Sequence, residues 1–197
     1  MTDFWNERYK EEAYAYGVQP NVFVKSELGI LSQGTVLFAA EGEGRNAVYA
    51  LQKGWNVEAF DYSVAAKNKA VKLAKSFNLQ LDYKVLDVLD FHSAKKFDVL
   101  VLCYAHFPIS IREKAIQHLL TFLKPNGVVI FEAFSKNQLG KTSGGPKNME
   151  MLFSIAEIYK EFNGLNFTEL EETNIQLKEG NYHQGIASVI RFVGLKK

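Results

Sequence analysis

The 197-residue chain has one cysteine, Cys103, and almost no net charge, since 23 Lys and Arg against 22 Asp and Glu leave +1. A lone thiol can neither close an internal disulfide nor build a thiolate metal cluster, so a reducing compartment is expected. Balanced charge supplies no broad field for nucleic acid or an anionic membrane surface. The longest uninterrupted apolar run, Val99 to Ala105, falls far short of the roughly 20 residues that span a bilayer. The opening MTDFWNERYKEE mixes acids with aromatics and lacks the basic-then-apolar order of a signal peptide, which makes the cytoplasm the expected setting. No HExxH or similar spacing points to a metal. The hydrophobic share of 47% and charged share of 23% rule out disorder and collagen-like repeats. The length predicts one domain, residues 1–197.

Short β-branched runs alternate with amphipathic helical stretches, the pattern of a parallel α/β sheet. Residues 1–34 read as a helical lead-in, with one helix closed by Gly17 and Pro20 and a second over Val22 to Leu31. Strands are predicted over Thr35–Ala40, Val57–Phe60, Leu81–Leu86, Phe97–Tyr104 and Val128–Phe134, each but the last followed by a helix or turn. Ser63 is placed to cap a helix in which Ala66, Ala70, Leu73 and Phe77 share a face. The interleaved Lys67, Lys69, Lys72 and Lys75 read as a solvated surface rather than a nucleic-acid stripe. Ile111, Ala115, Ile116, Leu119, Leu120 and Leu123 form another apolar helical face, closed by a turn at Pro125-Asn126-Gly127. The rhythm then breaks at 135–150, a polar stretch rich in Gly, Ser and Lys; an irregular stretch of this length is usually functional or mobile. After a helix over Ser154–Phe162, Glu169–Leu177 and Ile186–Leu195 read as an antiparallel hairpin about Gly180 and Asn181.

The densest chemical signal is Ala40-Glu41-Gly42-Glu43-Gly44-Arg45-Asn46-Ala47, a G-x-G-x-x-A turn between a strand and a helix, with Asp61 closing the next strand. That matches the loose dinucleotide fingerprint, so charge must decide. A pyrophosphate over the turn would meet Glu41 and Glu43, each costing about 1–4 kcal/mol at a separation near 4 Å. A dinucleotide is disfavoured. S-adenosylmethionine reverses the sign, because it carries a sulfonium and an ammonium against one carboxylate. Glycine permits its close approach, Glu41 attracts the ammonium, exposed helix N–H groups receive the carboxylate, and Asp61 offers two oxygens to the ribose hydroxyls. Arg45 lies in a first helical turn, where the dipole disfavours a cation, so it needs an anionic partner. Glu41, a substrate and the cofactor carboxylate are the choices.

With these residues the chain resembles a class I S-adenosylmethionine-dependent methyltransferase, and more narrowly the tellurite-resistance-type branch of small bacterial methyltransferases. The resemblance is carried by Trp5-Asn-Glu-Arg-Tyr9, Tyr16-Gly17, the 40–46 turn, Asp61-Tyr-Ser63, Leu86-Asp-Val88, His106-Phe-Pro108, Glu132-Ala-Phe134, Ser143-Gly-Gly-Pro146 and His183-Gln-Gly185. It implies a doubly wound, mainly parallel seven-stranded sheet with an antiparallel C-terminal hairpin strand. It also implies that Glu41, Gly42 and Gly44 hold the methionine part, with Asp61 and Tyr62 flanking the ribose. Asp87 would then accept from the adenine amino group, the Val88 N–H would meet the ring, and Cys103 would border the sulfonium.

Methyl transfer needs alignment and water exclusion, and a base only when the nucleophile arrives protonated. His106 is the first candidate base and His183, on the hairpin, the second; neutral imidazole is available near pH 7. His92 and His118 read as incidental, the latter on the exposed side of a helix. Residues 135–150 are the expected lid over the acceptor, pivoting at Gly140, Gly144 and Gly145, and Lys141 and Lys147 hint at an anionic acceptor. The sequence thus points to a methyltransferase acting on a small molecule, with S-adenosylhomocysteine as product. A non-catalytic binder of the same ligand and an NAD(P)-dependent oxidoreductase are the alternatives, and the acceptor and oligomeric state stay open.

Overall fold

The computed structural model describes residues 2–197. After helices α1 (Thr2–Lys10) and α2 (Val22–Ile30), strand and helix alternate through β1 (Thr35–Ala39), α3 (Arg45–Gln52), β2 (Asn56–Asp61), α4 (Val64–Ser76), β3 (Asp82–Val85), β4 (Phe97–Cys103), α5 (Ile109–Leu120) and β5 (Leu123–Phe134). Helix α6 (Ile155–Glu161) and the strands β6 (Leu165–Glu179) and β7 (His183–Lys196) complete the chain. The seven strands run in the order β3-β2-β1-β4-β5-β7-β6. Pairings from β3 to β5 are parallel, and β7 enters antiparallel between β5 and β6.

Alternation within each strand splits the core into two layers. Val36, Phe38, Val99, Val101 and Ile130 pack toward α2, α3 and α4, whose Val24, Ala47 and Ala70 they meet. Leu37, Leu100, Leu102, Val129 and Phe131 face α5 and α6 through Ile116, Leu119, Ile158 and Phe162. Fully burying such a side chain is worth roughly 1.5–3 kcal/mol, so a strand slipped by one residue gains nothing on either face. These runs are apolar throughout because both faces are covered.

Several local expectations change. The first helix stops at Lys10 instead of running toward Gly17, because Lys69 on α4 donates to the carbonyls of Glu11 and Ala13 and draws the chain aside. Lys69 is therefore a tether and not part of a solvated stripe. Phe77 lies beyond the end of α4 and is half exposed. Leu123 belongs to β5 rather than to the face of α5, and Pro125-Asn126-Gly127 bulges from the ladder between the Phe97–Leu123 and Val99–Val128 pairs. The hairpin is longer than its apolar pattern, since β6 is a polar edge strand and already pairs with β7 from Leu165. Segment 135–150 is not structureless. It forms short turns at Lys136–Gln138 and Met149–Met151, and Gln138 donates to Ser143 and to the Gly144 carbonyl.

Candidate functional site

The strand order reverses between β1 and β4, and in open α/β sheets ligands bind in the crevice beyond the strand ends at such a point. Both strands leave it under strain: Ala40 and Tyr104, each just past its strand, hold φ of 54°, a left-handed conformation that costs a non-glycine residue about 1–3 kcal/mol. Gly42 (φ 64°) and Gly44 (φ 85°) continue the first bend, so α3 begins directly behind it. A Cβ on Gly44 would stand 2.5 Å from that of Ala70 and one on Gly42 would meet the Tyr9 hydroxyl at 2.8 Å, so only glycine fits either place.

Over this bend opens a cleft of about 650 Å³, within the range of small-molecule sites. The turn supplies Glu41, Gly42 and Arg45, the end of β4 supplies Cys103, Tyr104 and His106, the lead-in supplies Trp5, Tyr9 and Tyr16, and the hairpin supplies His183. Gly144, Gly145 and Lys147 from the 135–150 segment close one side. Of the predicted residues, the cleft thus gathers Glu41, Gly42, Arg45, Cys103, His106 and His183.

Gly44, Asp61, Tyr62, Asp87 and Val88 are not in its wall. Gly44 sits behind the bend against α4. Asp61 is buried, accepting from the Gly42 N–H at 3.1 Å and the Ser63 N–H at 2.9 Å, and burial raises its carboxyl to about 6 against those bonds. Asp87 is exposed and caps the turn that follows by accepting from the Leu89 N–H, while the Val88 side chain is buried in the core. The Tyr62 hydroxyl is buried without a partner.

The acids of the glycine turn also bond within the protein. One Glu41 oxygen accepts from the N–H groups of both Asn46 and Ala47, at 2.9 and 2.8 Å. The helix N-terminus expected to receive a ligand carboxylate is therefore already capped from within. Burial lifts the Glu41 carboxyl to about 7, opposed by those bonds and by the charge of Arg45. Glu43 turns to Lys69, with which it is ion-paired, and accepts from the Ala15 N–H at 2.7 Å. Only Glu41 remains to repel a phosphate.

Within the chain, Arg45 does not turn to Glu41. It pairs with Glu179 at the end of β6, 3.0 Å away, and donates to the Tyr16 carbonyl. Burial works to raise the Glu179 carboxyl, but the hydrogen bond from His183 and the guanidinium overcome it and hold it at about 2. His183 Nδ1 lies 2.9 Å from the same oxygen, and an ionised acceptor there fixes the proton on Nδ1. Behind this group Asn21 donates to both Glu132 and Glu179, and Tyr104 donates to Glu132 at 2.9 Å.

His106 is held in a parallel manner. Its Nδ1 lies 2.7 Å from the Met151 carbonyl, which can only accept, so Nδ1 carries the proton and Nε2 is bare. That Nε2 is buried with no partner, and burial lowers the ring to about 4 against the pull of that carbonyl. Burial also keeps the Cys103 thiol protonated. His118 is part-buried rather than on an exposed face, with Nε2 2.8 Å from the Phe91 carbonyl. Lys141 bonds Asn174 and Ser188 on the hairpin, away from the cleft, which leaves Lys147 as the lysine in its wall.

Sequence reasoning gave no role to Glu179, Asn21, Glu132 or Tyr104. One of them had a local signal: a tight hairpin about Gly180-Asn181 places residues 179 and 183 opposite one another, and their pairing is observed.

Residues 36–127 match the family described as "Methyltransferase domain". No characterised protein matches the chain at the sequence level. The fold is similar to TehB from Haemophilus influenzae at 16% identity and TM-score 0.75, covering 100% of this chain and 67% of that one. It is also similar to magnesium protoporphyrin IX methyltransferase (ChlM) from Synechocystis PCC 6803 with bound S-adenosylhomocysteine, at 16% identity and TM-score 0.70, covering 100% and 98%. The N-methyltransferase NodS from Bradyrhizobium japonicum WM9, in complex with the same product, aligns at 13% identity and TM-score 0.70 over 99% and 97%.

Proposed function

We propose, from the match of residues 36–127 to a methyltransferase domain, that the chain is a class I S-adenosylmethionine-dependent methyltransferase and, as a single domain, transfers a methyl group to a small-molecule acceptor in this cleft. The observation that carries the reading is the cleft at the reversal of strand order, where a glycine bend, a carboxyl with one oxygen left unengaged by α3 and two bare imidazole nitrogens converge. The residues fit the donor. Gly42 leaves room for close approach, one Glu41 oxygen is not engaged by α3, and the His106 Nε2 lacks a partner.

When bound, the donor supplies an electrophilic methyl group on a sulfonium. Glu41 offers its remaining oxygen to the ammonium, and Gly42 with Gly44 shapes the backbone beneath the methionine part. Asp61 keeps one lone pair on each oxygen beside its backbone bonds, so we assign it, with Tyr62, to the ribose. Asp87 and the Val88 N–H are assigned to the adenine edge. Cys103 borders the sulfonium as a neutral thiol, and His106 and His183 face the acceptor. Residues 135–150 act as the lid, and the likeness to TehB supports a place beside the tellurite-resistance type. A lone cysteine, half-buried in the cleft wall, supports a cytoplasmic setting.

The test is incubation with methyl-labelled S-adenosylmethionine and a panel of thiols, phenols, amines, carboxylates and metalloid oxyanions. Labelled product together with S-adenosylhomocysteine is expected. Tight donor binding with no turnover across the panel would favour the non-catalytic binder instead.

A further inference from the structure

Two imidazoles enter one cleft in the same state. Each has its Nδ1 proton committed, His183 to Glu179 and His106 to the Met151 carbonyl, and each keeps Nε2 free of protein partners among the described residues. They converge on one phenyl ring: His106 stacks on Phe134 with centroids 5.7 Å apart, and His183 meets it edge-on at 5.1 Å. Around His183 stand Tyr16 at 4.3 Å and Tyr104 at 4.7 Å. This part of the cleft is walled by aromatic rings and presents the two Nε2 atoms as hydrogen-bond acceptors. At the two Nε2 atoms an oxyanion or carboxylate would meet lone pairs, with the cationic Arg8 and Lys147 elsewhere in the cleft wall, whereas a ring bearing an O–H meets its complement there.

The groups facing His183 set its charge. Glu179 on β6 favours the imidazolium, while burial, Arg45 on α3 and Arg8 on α1 oppose it, with the opposing set prevailing. His106 is neutral as well. The resting ring is therefore a base, and once protonated it would face an ionised carboxylate 2.9 Å from its Nδ1. Arg45 keeps that carboxylate charged and in place.

Building on the methyltransferase reading, we propose that Glu179 and His183 form a proton-accepting pair and that the acceptor is an aromatic hydroxyl compound which arrives protonated. The acceptor oxygen forms a bond to the donor's methyl carbon as the carbon–sulfur bond breaks. The electron pair of that bond returns to sulfur, leaving a neutral thioether, and the phenolic proton passes to His183 Nε2. Glu179 is a positioning residue: it fixes the tautomer and holds the imidazolium, a role on the scale of general-base contributions of about 10²–10⁴-fold.

The test has an arm that needs no acceptor. Long-range ¹⁵N NMR of the imidazoles in the S-adenosylhomocysteine complex at pH 8 should show His183 with Nδ1 protonated and Nε2 bare, and Glu179→Ala should abolish that preference. A wild-type ring protonated on Nε2 overturns the proposal. The second arm compares methylation of 4-nitrophenol at a pH where it is protonated with that of 4-nitrothiophenol, which is already a thiolate there. In His183→Gln and Glu179→Ala the phenol-to-thiolate rate ratio should fall on the order of 100-fold; an unchanged ratio, or no phenol turnover by the wild type, overturns the assignment. Calorimetry of S-adenosylmethionine on the same samples separates the two claims. Absent donor binding defeats the methyltransferase reading, and donor binding with the wrong tautomer defeats only this one.

Discussion

Glu41 sits in an environment at odds with its charge. Its carboxyl stands at about 7, where burial holds it against two N–H bonds. A cation in the cleft favours the ionised form, so near neutral pH binding must expel a proton from this group. The sign follows: below pH 7 the proton competes with the ligand and affinity weakens, and above it the competition ends. The affinity for S-adenosylmethionine should therefore rise from pH 6 to pH 8 with a slope of at most about tenfold per unit, the limit for one proton. Titration calorimetry in buffers of different protonation enthalpy reads both the slope and the released proton, and Glu41→Gln should flatten the profile. A wild-type affinity constant across that window would contradict the role given to Glu41.

Among the elements, α3 depends on a single absent methyl group. Gly44 combines φ of 85° with a 2.5 Å approach to Ala70 on α4, while Gly140 has nearly the same φ, 86°, and open space around it. Gly140→Ala should lose only the conformational preference, about 1–2 kcal/mol, and Gly44→Ala a further 1–3 kcal/mol, roughly, for forcing two helices apart. Urea denaturation of the pair separates the terms, and equal losses would show that α3 yields freely. The 135–150 segment is held by Gln138 to Ser143 and Gly144, and by Lys136 to Glu157. As a lid it should be the first place cut in limited proteolysis of the free protein and be protected by donor plus acceptor; cleavage indifferent to both would argue against closure.

What could be read from sequence follows the same division. Strands β1, β4 and β5 were legible because both faces are buried over most of their length and their inner runs, 36–39, 99–103 and 128–131, are apolar. Strand β6 was not, because an edge strand with one solvated face alternates weakly and its start at Leu165 carries no apolar run. The glycine bend was legible because seven consecutive residues carry it. The other half of the site joins Asn21 to Glu132 and Glu179, and Arg45 to Glu179, over separations above 100 residues. Sheet order alone creates those contacts, so no spacing announces them. For the same reason Glu179 was not among the partners weighed for Arg45, and Glu43 was left as a free charge.

At the scale of the whole molecule, the α/β layers set a rigid bend at the reversal of strand order, and the lead-in, the hairpin and the 135–150 segment wall in the space above it. No helix among the described residues is long and apolar enough to cross a membrane. With Glu43 neutralised by Lys69, discrimination between a cationic donor and a dinucleotide rests on Glu41 and on the shape of the cleft, so the two ligands must be compared directly. The decisive measurement is isothermal titration of the protein with S-adenosylmethionine and, in parallel, with NADH. One equivalent of S-adenosylmethionine should bind, and at 100 times its dissociation constant it should stabilise the fold by about 2.7 kcal/mol, while NADH gives no heat of binding. Saturable binding of NADH with none of S-adenosylmethionine would contradict the account.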